Sequence, residues 1–264
     1  MRPRSAGEAA LLLLADSRLP AGGHAHSGGV EEAIRLGTIT DRDDLAGFLR
    51  GRLATAGLVA AALAAAACEL GTALADAEYM EEDVEEDVEE DIEEDMEDEG
   101  ADDVCRLWQR LDTEADARTA SPALRENART QGRLLIRTAR RIWPSAVLDT
   151  LARAVPDGAH HPVVLGATAA VAGCEPRQAA LAAAHGSVAA PATAAVRLLG
   201  LDPVAVHGLL AALAPELDGT AHAACASLGG ARSAGWPGLP AHAAPALDLL
   251  AEGHRRDPLR LFVS

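Results

Sequence analysis

Aromatic residues are scarce in this sequence: they make up 2% of its 264 residues, whereas 49% of the residues are apolar. A core must therefore be built mainly from Ala, Leu and Val instead of large rings. Ala and Leu are strong helix formers, and small side chains let neighbouring helices approach closely. The length fits one large domain or two small ones. These features favour an all-α fold.

Lysine is absent, so all 23 basic residues are Arg. Arg binds planar anions bidentately, which is one reason for such a bias. A GC-rich coding sequence would give the same Ala- and Arg-rich composition, and the Arg residues form no basic cluster along the chain. The net charge of −17 belongs to one segment, because Asp76 to Glu99 contains 17 acidic residues and no basic one. The other 23 acidic residues balance the 23 basic ones.

The motifs of common enzyme classes are also missing. There is no GxxxxGK[ST] loop, no GxGxxG after a strand, no HExxH and no GxSxG. The apolar run at residues 9–15 is too short for a membrane span. We therefore expect a soluble, cytoplasmic protein that is not an enzyme. The four cysteines are widely spaced, without a CxxC or Cys/His zinc pattern, which predicts buried, reduced thiols; they are Cys68, Cys105, Cys174 and Cys225.

Caps and breakers divide the chain into about ten helices, which we interpret as one helical-bundle-like domain spanning residues 1–264. Several predicted helices open with Pro, where the missing amide proton costs nothing. No segment shows the alternation expected of a strand. The predicted helices cover residues 8–15, 28–36, 45–70, 104–111, 123–143, 163–172, 176–199, 203–213, 216–228 and 245–256.

Residues 76–103 form an acidic, low-complexity insert. Four tandem units, EEDV, EEDV, EEDI and EEDM, fill residues 81–96, with an apolar residue at every fourth position. That spacing places the apolar side chains on one helical face and would suit an acidic helix that collects metal ions. However, 15 of the 19 residues from 81 to 99 are acidic, and like charges four residues apart repel. We favour a solvated, largely disordered insert that binds divalent cations weakly at most.

Two histidine pairs are candidate metal ligands. His160 and His161 precede Pro162 at the start of a predicted helix, and we interpret them as a surface pair rather than a metal site. His24 and His26 lie in a glycine-rich loop, and imidazole suits nickel, copper and zinc. This second pair is two ligands short of a structural site.

In a different interpretation of the same loop, its polar residues cap the next helix and contact a partner protein. Ser27 would be the N-cap of the next helix, and Glu31 would lie in the first turn, where a carboxylate is favourable. His24 and His26 would then face a partner protein.

Several segments together resemble the UreF family of urease accessory proteins. The run LLLLADSRLPAGGHAHSGGVEEAI, residues 11–34, resembles the N-terminal signature of this family, and its HxHSGG form is similar to actinobacterial members. Residues 123–135 are similar to the LR…QGxxL helix of the family, residues 194–202 to its AxRLxxL segment, and residues 259–264 to its RLFxS ending. This sequence has histidines in the signature where aromatic residues are common, and it reads Leu201-Asp202-Pro203 where LGQ is usual.

The resemblance implies an all-α, often dimeric adaptor that performs no chemistry itself. Such a protein binds the UreD chaperone (also called UreH) and the nickel-carrying GTPase UreG, and brings them to apo-urease. A role in regulating the GTPase belongs to the same inference. No cofactor is expected to bind tightly, because nickel is handled by the complex. No nucleic acid or membrane partner is implied.

The resemblance and the residue types together suggest a set of partner-binding residues. Phe262, one of only two phenylalanines, is expected to lie on an exposed terminus until a partner covers it. Such a terminus would become ordered on binding. The full predicted set is His24, His26, Ser27, Glu31, Arg197, Arg260, Leu261, Phe262 and Ser264.

Three other functions remain open at this stage. A metallochaperone could carry nickel itself through His24, His26 and the acidic insert, and stoichiometric nickel binding would favour it. A hydrolase could use Ser27 with a histidine, and loss of turnover in Ser27→Ala would favour that. A generic helical binding module unrelated to urease is the third.

Overall fold

The computed structural model describes residues 4–16, 18–21, 25–82 and 93–263. The regular secondary structure of these residues is helical, with no strand among them. The predicted all-α class is confirmed. A π-helical turn at Leu53–Gly57 and a 3-10 turn at Trp236–Gly238 supplement the α-helices. The α-helices are α1 (Arg4–Ala15), α2 (Val30–Arg35), α3 (Arg42–Arg52), α4 (Leu58–Glu82), α5 (Glu93–Ala117), α6 (Pro122–Ile142), α7 (Ala146–Ala154), α8 (His161–Val171), α9 (Pro176–Leu199), α10 (Pro203–Ala212), α11 (Ala214–Ala234) and α12 (Pro245–Arg256).

The centre of the fold is α4, which packs against α8, α9 and α11. Residues 61–68 of α4 are all buried, and six of these eight are Ala. Small residues let the helices approach so closely that a Cβ built on Gly166 of α8 would lie 2.2 Å from the carbonyl oxygen of Ala64. The scarcity of aromatic residues thus corresponds to a core of closely packed, small-residue helices.

The helical rod that contains α4 is longer than predicted. Asp41 caps α3 by accepting the amides of Asp43 and Asp44, both at 2.9 Å. From there α3, the π turn and α4 run to Glu82, whereas the sequence predicted residues 45–70. A π turn inside a helix accommodates one extra residue, and such turns are frequent near functional sites. This π turn follows Arg52, which contacts the loop described below.

α7 has no counterpart among the predicted helices. Ser145 caps it by accepting the Val147 amide at 3.3 Å. Val147, Leu148 and Leu151 are almost fully buried, so one face of this nine-residue helix belongs to the core. Pro144 ended the preceding predicted helix, and the apolar segment after it was too short to indicate another helix from its sequence.

The acidic insert, residues 76–103, is entered by helices from both sides. α4 continues to Glu82, and α5 starts at Glu93, eleven residues before the predicted start at 104. α5 is held to the body by Trp108 and Leu111, which are fully buried. Ten of the 28 residues of the predicted disordered insert, residues 83–92, lie outside the described residues, and the flanking residues 76–82 and 93–103 are helical.

Two helical stretches, Arg42–Ala77 and Pro176–Leu199, are long and apolar enough to cross a membrane by length and composition. Within the fold, however, 61% and 56% of their most apolar windows are buried by other parts of the chain. Both therefore occupy the position of core helices.

Candidate functional site

α2 begins through two glycines instead of a side-chain cap. Gly28 and Gly29 have φ values of +61° and +92°, in the left-handed region that favours glycine, and Gly29 is the N-cap. Ser27 therefore lies two positions before the N-cap, and its buried hydroxyl has no hydrogen-bond partner among the described residues. The Ser27 carbonyl accepts the Val30 amide at 3.2 Å instead. The predicted capping role of the Ser27 side chain is wrong.

Glu31 lies in the first turn of α2, as predicted, and its carboxylate binds the C-terminal tail (residues 257–263). Its two oxygens accept the backbone amides of Leu261 at 2.6 Å and Phe262 at 3.1 Å. The Val263 amide donates to the carbonyl of Ala25 at 2.8 Å. Three consecutive tail amides are thus bound by the signature loop (residues 25–31). Residues 230 positions apart in sequence form one surface.

Phe262 is buried on its own chain, which corrects the expectation of an exposed terminus. Its side chain is only 7% exposed. The Arg197 guanidinium of α9 lies 5.2 Å from the ring centroid, a cation–π distance. His254 of α12, through Nε2, lies 3.2 Å from the Phe262 carbonyl oxygen. Two predicted site residues, Arg197 and Phe262, are therefore in contact with each other, and Glu31 contacts the backbone of the same tail.

Apolar side chains of the tail alternate with Phe262 and point outward. Leu259, Leu261 and Val263 are 84%, 80% and 51% exposed. Arg260 is exposed too and donates to the Arg255 carbonyl at 3.2 Å. The tail is held by its backbone while its apolar side chains remain uncovered. An ordered strip of uncovered apolar groups is characteristic of a binding surface.

Of the predicted histidine pair His24 and His26, the structure describes only His26, which is buried. His26 is 6% exposed and Ser27 fully buried, so contrary to the prediction neither side chain is available to a partner in this conformation. Burial, together with the nearby His26, lowers the pKa of His161 to about 4. His161 itself is half-buried, so its imidazole is neutral at neutral pH and lies partly inside the core beside that of His26. His24 and Ser264, also predicted, lie outside the described residues.

Arg52 fixes the signature loop to the body, a role that the sequence did not reveal. Its Nη1 donates to the Gly28 carbonyl at 2.8 Å, and its Nε donates to the Ser187 carbonyl of α9 at 2.7 Å. Burial lowers the pKa of this guanidinium to about 10. These partners lie 24 and 135 residues away, and nothing in the local sequence indicates them. An Arg that binds carbonyls in place of a carboxylate pins backbone geometry.

The interpretation of His160 as a surface residue is wrong. It is 1% exposed, and both its amide and its Nδ1 lie 2.8 Å from Asp112 Oδ1 on α5. Arg129 of α6 donates to Asp112 at 3.0 Å and to Asp116 at 2.8 Å. Burial alone would raise the pKa of Asp112, but the hydrogen bonds and charges of His160 and Arg129 hold it below its usual value. This buried network joins α5, α6 and the start of α8.

Residues 4–16, 18–21, 25–82 and 93–263 contain no group of three or more His, Cys, Asp or Glu side chains placed to hold a metal ion. All four cysteines are free, and burial raises the pKa of the Cys174 thiol to about 11, so that thiol is not a nucleophile at neutral pH. The fold and the site therefore define an all-helical protein whose ordered C-terminal tail presents exposed apolar side chains.

Comparison with known proteins identifies the family. Residues 39–214 match the family model of UreF. A protein named urease accessory protein UreF from Mycobacterium sp. (strain JLS) is 40% identical over 96% of this chain and 97% of its own length. Proteins of the same name from Mycobacterium marinum and Mycobacterium tuberculosis (strain ATCC 25618 / H37Rv) are 40% and 36% identical to this chain. Both alignments cover 97% of this chain and 98% of the relative's own length. The chain belongs to the UreF family of urease accessory proteins, which confirms the resemblance seen in the motifs.

The family model and the pairwise relatives cover different parts of the site. The family model spans residues 39–214, so it begins after the signature loop and ends before the tail. The relatives, by contrast, align over nearly the whole chain. Among the side chains that contact the signature loop or the tail, Arg52 and Arg197 lie inside the range of the family model.

Proposed function

We propose that this protein is a non-catalytic, cytoplasmic adaptor in urease maturation. In this role it assembles with the UreD (UreH) chaperone and the UreG GTPase and supports nickel insertion into apo-urease. The observation that carries the proposal is the strip of exposed Leu259, Leu261 and Val263, held in place by Glu31. A preordered apolar strip loses little conformational entropy when a partner covers it.

The UreD chaperone is the proposed partner of this strip. The strip is apolar at Leu259 and Leu261 and carries a positive charge at Arg260, so the complementary surface is an apolar groove with an acidic rim. The contact needs no residue from the interior of the signature loop. His26 and Ser27 would act indirectly, by shaping the loop whose Ala25 carbonyl and Glu31 carboxylate hold the tail.

Urease activation in cells tests this function. A strain that carries the urease operon without this gene would be complemented with the parent chain or with a chain truncated after residue 258. We expect full urease activity from the parent and a loss of most activity from the truncated chain, with both proteins equally abundant. Normal activation by the truncated chain would refute the proposal.

We further propose that two copies associate through α10. This ten-residue helix contains no charged residue, yet Val206 is its only buried side chain, and Val204 is 79% exposed. An uncovered apolar helix face is an aggregation hazard unless a partner covers it, and a second copy is the partner that is always present. Sedimentation of Val204→Asp should show a monomer where the parent sediments as a dimer, while Leu249→Asp on α12 serves as the matched control.

Nickel is proposed to pass through the complex and not through a tight site on this chain. His26 is buried, and the described residues contain no three-ligand cluster. A protein that carries nickel through His24 and His26 is the competing function. Calorimetric titration, described in the Discussion, separates the two.

A further inference from the structure

His254 joins the tail to α2 through both of its ring nitrogens. Its Nε2 lies 3.2 Å from the Phe262 carbonyl oxygen, and its Nδ1 lies 3.6 Å from Glu31 Oε2. The imidazole is buried, with only 3% of the residue exposed. Both nitrogens therefore face acceptor atoms, and no water competes freely for either.

The protonation state of the ring decides how many of these acceptors are satisfied. A neutral imidazole has one N–H, so it can donate to the Phe262 carbonyl only while its Nδ1 lone pair faces the Glu31 carboxylate. The imidazolium has two N–H groups, and at 3.6 Å its Nδ1–H forms an ion pair with Glu31. The charged form therefore binds the tail through Phe262 and strengthens the position of the carboxylate that holds Leu261.

The other charged groups around His254 have partners of their own. On α2, Glu32 pairs with Arg35, which also lies 3.7 Å from Asp257 of the tail. On α12, Arg255 pairs with Glu252 at 3.3 Å and lies 3.9 Å from Glu126 of α6. Arg197 of α9 lies over the Phe262 ring, and Arg260 of the tail donates to a backbone carbonyl.

Only the Glu31 carboxylate, among the described residues, lies within ion-pair distance of the imidazole. Glu31 is thus the charge that responds to protonation of His254.

We propose that His254 is a pH-sensitive clamp that couples docking of the C-terminal tail to the signature loop. Protonation of His254 stabilises the docked tail through Glu31 and the Phe262 carbonyl, and deprotonation loosens it. As regulation of partner binding this inference rests on the proposed function, whereas docking itself is a property of the isolated chain. It is therefore measured without any partner.

Amide hydrogen exchange of 15N-phenylalanine-labelled protein tests the clamp. The chain has two phenylalanines, so the spectrum contains two amide signals, Phe262 in the tail and Phe48 in α3. The protection factor, which corrects for the intrinsic effect of pH, would be measured at about pH 5.5 and about pH 8. We expect Phe262 to lose about tenfold in protection at the higher pH, the size expected for one charge-assisted contact, while Phe48 changes little.

Two variants make the result specific. His254→Gln keeps a neutral N–H donor near the Phe262 carbonyl, and we expect its Phe262 protection to be the same at both pH values and similar to that of the parent at the higher pH. His222→Gln, at an exposed position of α11, is the matched control and should keep the tenfold change. Equal protection of Phe262 at both pH values in the parent would overturn the proposal.

A pH dependence that persists in His254→Gln would overturn the proposal as well, because another group would then be responsible. If the parent shows the change and His254→Gln does not, the clamp stands even if no UreD chaperone binds. In that case the failure would belong to the proposed function alone.

Discussion

The close contact between α4 and α8 predicts a large effect for a single methyl group at Gly166. An ideal Cβ at this position would lie 2.2 Å from the Ala64 carbonyl oxygen, 2.6 Å from Ala67 Cβ and 2.9 Å from the Cys68 amide nitrogen. Two of these three atoms belong to the backbone of α4, so no side chain can rotate away to make room. Gly166→Ala must therefore push α8 away from α4.

The expected cost follows from the rigidity of that contact. Overpacking a well-packed core costs about 1–3 kcal/mol, and a clash with helix backbone belongs at the upper end. The higher helix propensity of Ala relative to Gly offsets somewhat less than about 1 kcal/mol of this cost. We expect Gly166→Ala to lower the free energy of unfolding by about 2–3 kcal/mol, or the melting temperature by about 8 °C for a chain of this size.

Urea unfolding followed by circular dichroism measures this difference, with Gly186→Ala as the matched control. Gly186 also lies inside a helix, α9, but a Cβ there would meet nothing within 4 Å. That control should gain about 0.5–1 kcal/mol from helix propensity. The reasoning fails if both variants have the same stability, because the packing of α4 on α8 would then not be as tight as described.

Three further predictions concern buried charges and nickel. Burial and His26 hold the pKa of His161 near 4, below its unfolded value, so the parent should lose up to about 3 kcal/mol of stability as pH falls from about 6.5 towards 4. In unfolding measured at several pH values, His161→Gln should reduce this loss, whereas His222→Gln, at an exposed position, should not. Asp112→Asn should destabilise the fold by about 3 kcal/mol at neutral pH, where the lowered pKa keeps Asp112 charged. Urea unfolding measures this loss, with Asp103→Asn at an exposed position as the control, and equal stabilities of the two variants would contradict the prediction. Calorimetric titration with nickel should find no micromolar one-to-one site, and such a site in the parent that disappears in the His24→Ala and His26→Ala double variant would favour the metallochaperone.

Helix existence could be predicted well where the chain carries strong local signals. α9 and α12 begin and end at the predicted residues because Pro opens each one and Gly200 or a basic last turn closes it. α7 was missed because its nine residues are held by burial of one apolar face, which sequence periodicity cannot distinguish from a loop over so short a span. α4 and α5 also extend into the acidic insert, where the sequence predicted no helix.

The candidate site could be predicted by residue but not by contact. Glu31, Arg197 and Phe262 were identified from the family motifs, yet their convergence depends on backbone hydrogen bonds between segments about 230 residues apart. The expectation of a free terminus failed because it assumed that a Phe near the chain end needs a partner to be buried. His254 and Arg52 gave no signal, since each binds carbonyl groups, which every residue has.

The surface interpretation of His160 failed for a related reason. A His-His-Pro run at a helix start is usually polar surface, but here Asp112, 48 residues earlier, provides a buried carboxylate that accepts from both the amide and the ring. A buried polar side chain is tolerated only when such partners are present. The partners lie on another helix, and one sequence alone does not pair them.

The affinity of the purified chain for the UreD chaperone tests the central claim most directly. Leu261 is 80% exposed while its backbone amide is held by Glu31, so Leu261→Asp should alter the outward surface without releasing the tail. Leu249→Asp, at a residue 73% exposed on α12, makes the same chemical change away from the tail. We expect Leu261→Asp to weaken binding at least about tenfold, as for a central apolar contact replaced by a charge, and Leu249→Asp to bind like the parent. Equal affinities of parent and Leu261→Asp would contradict the account.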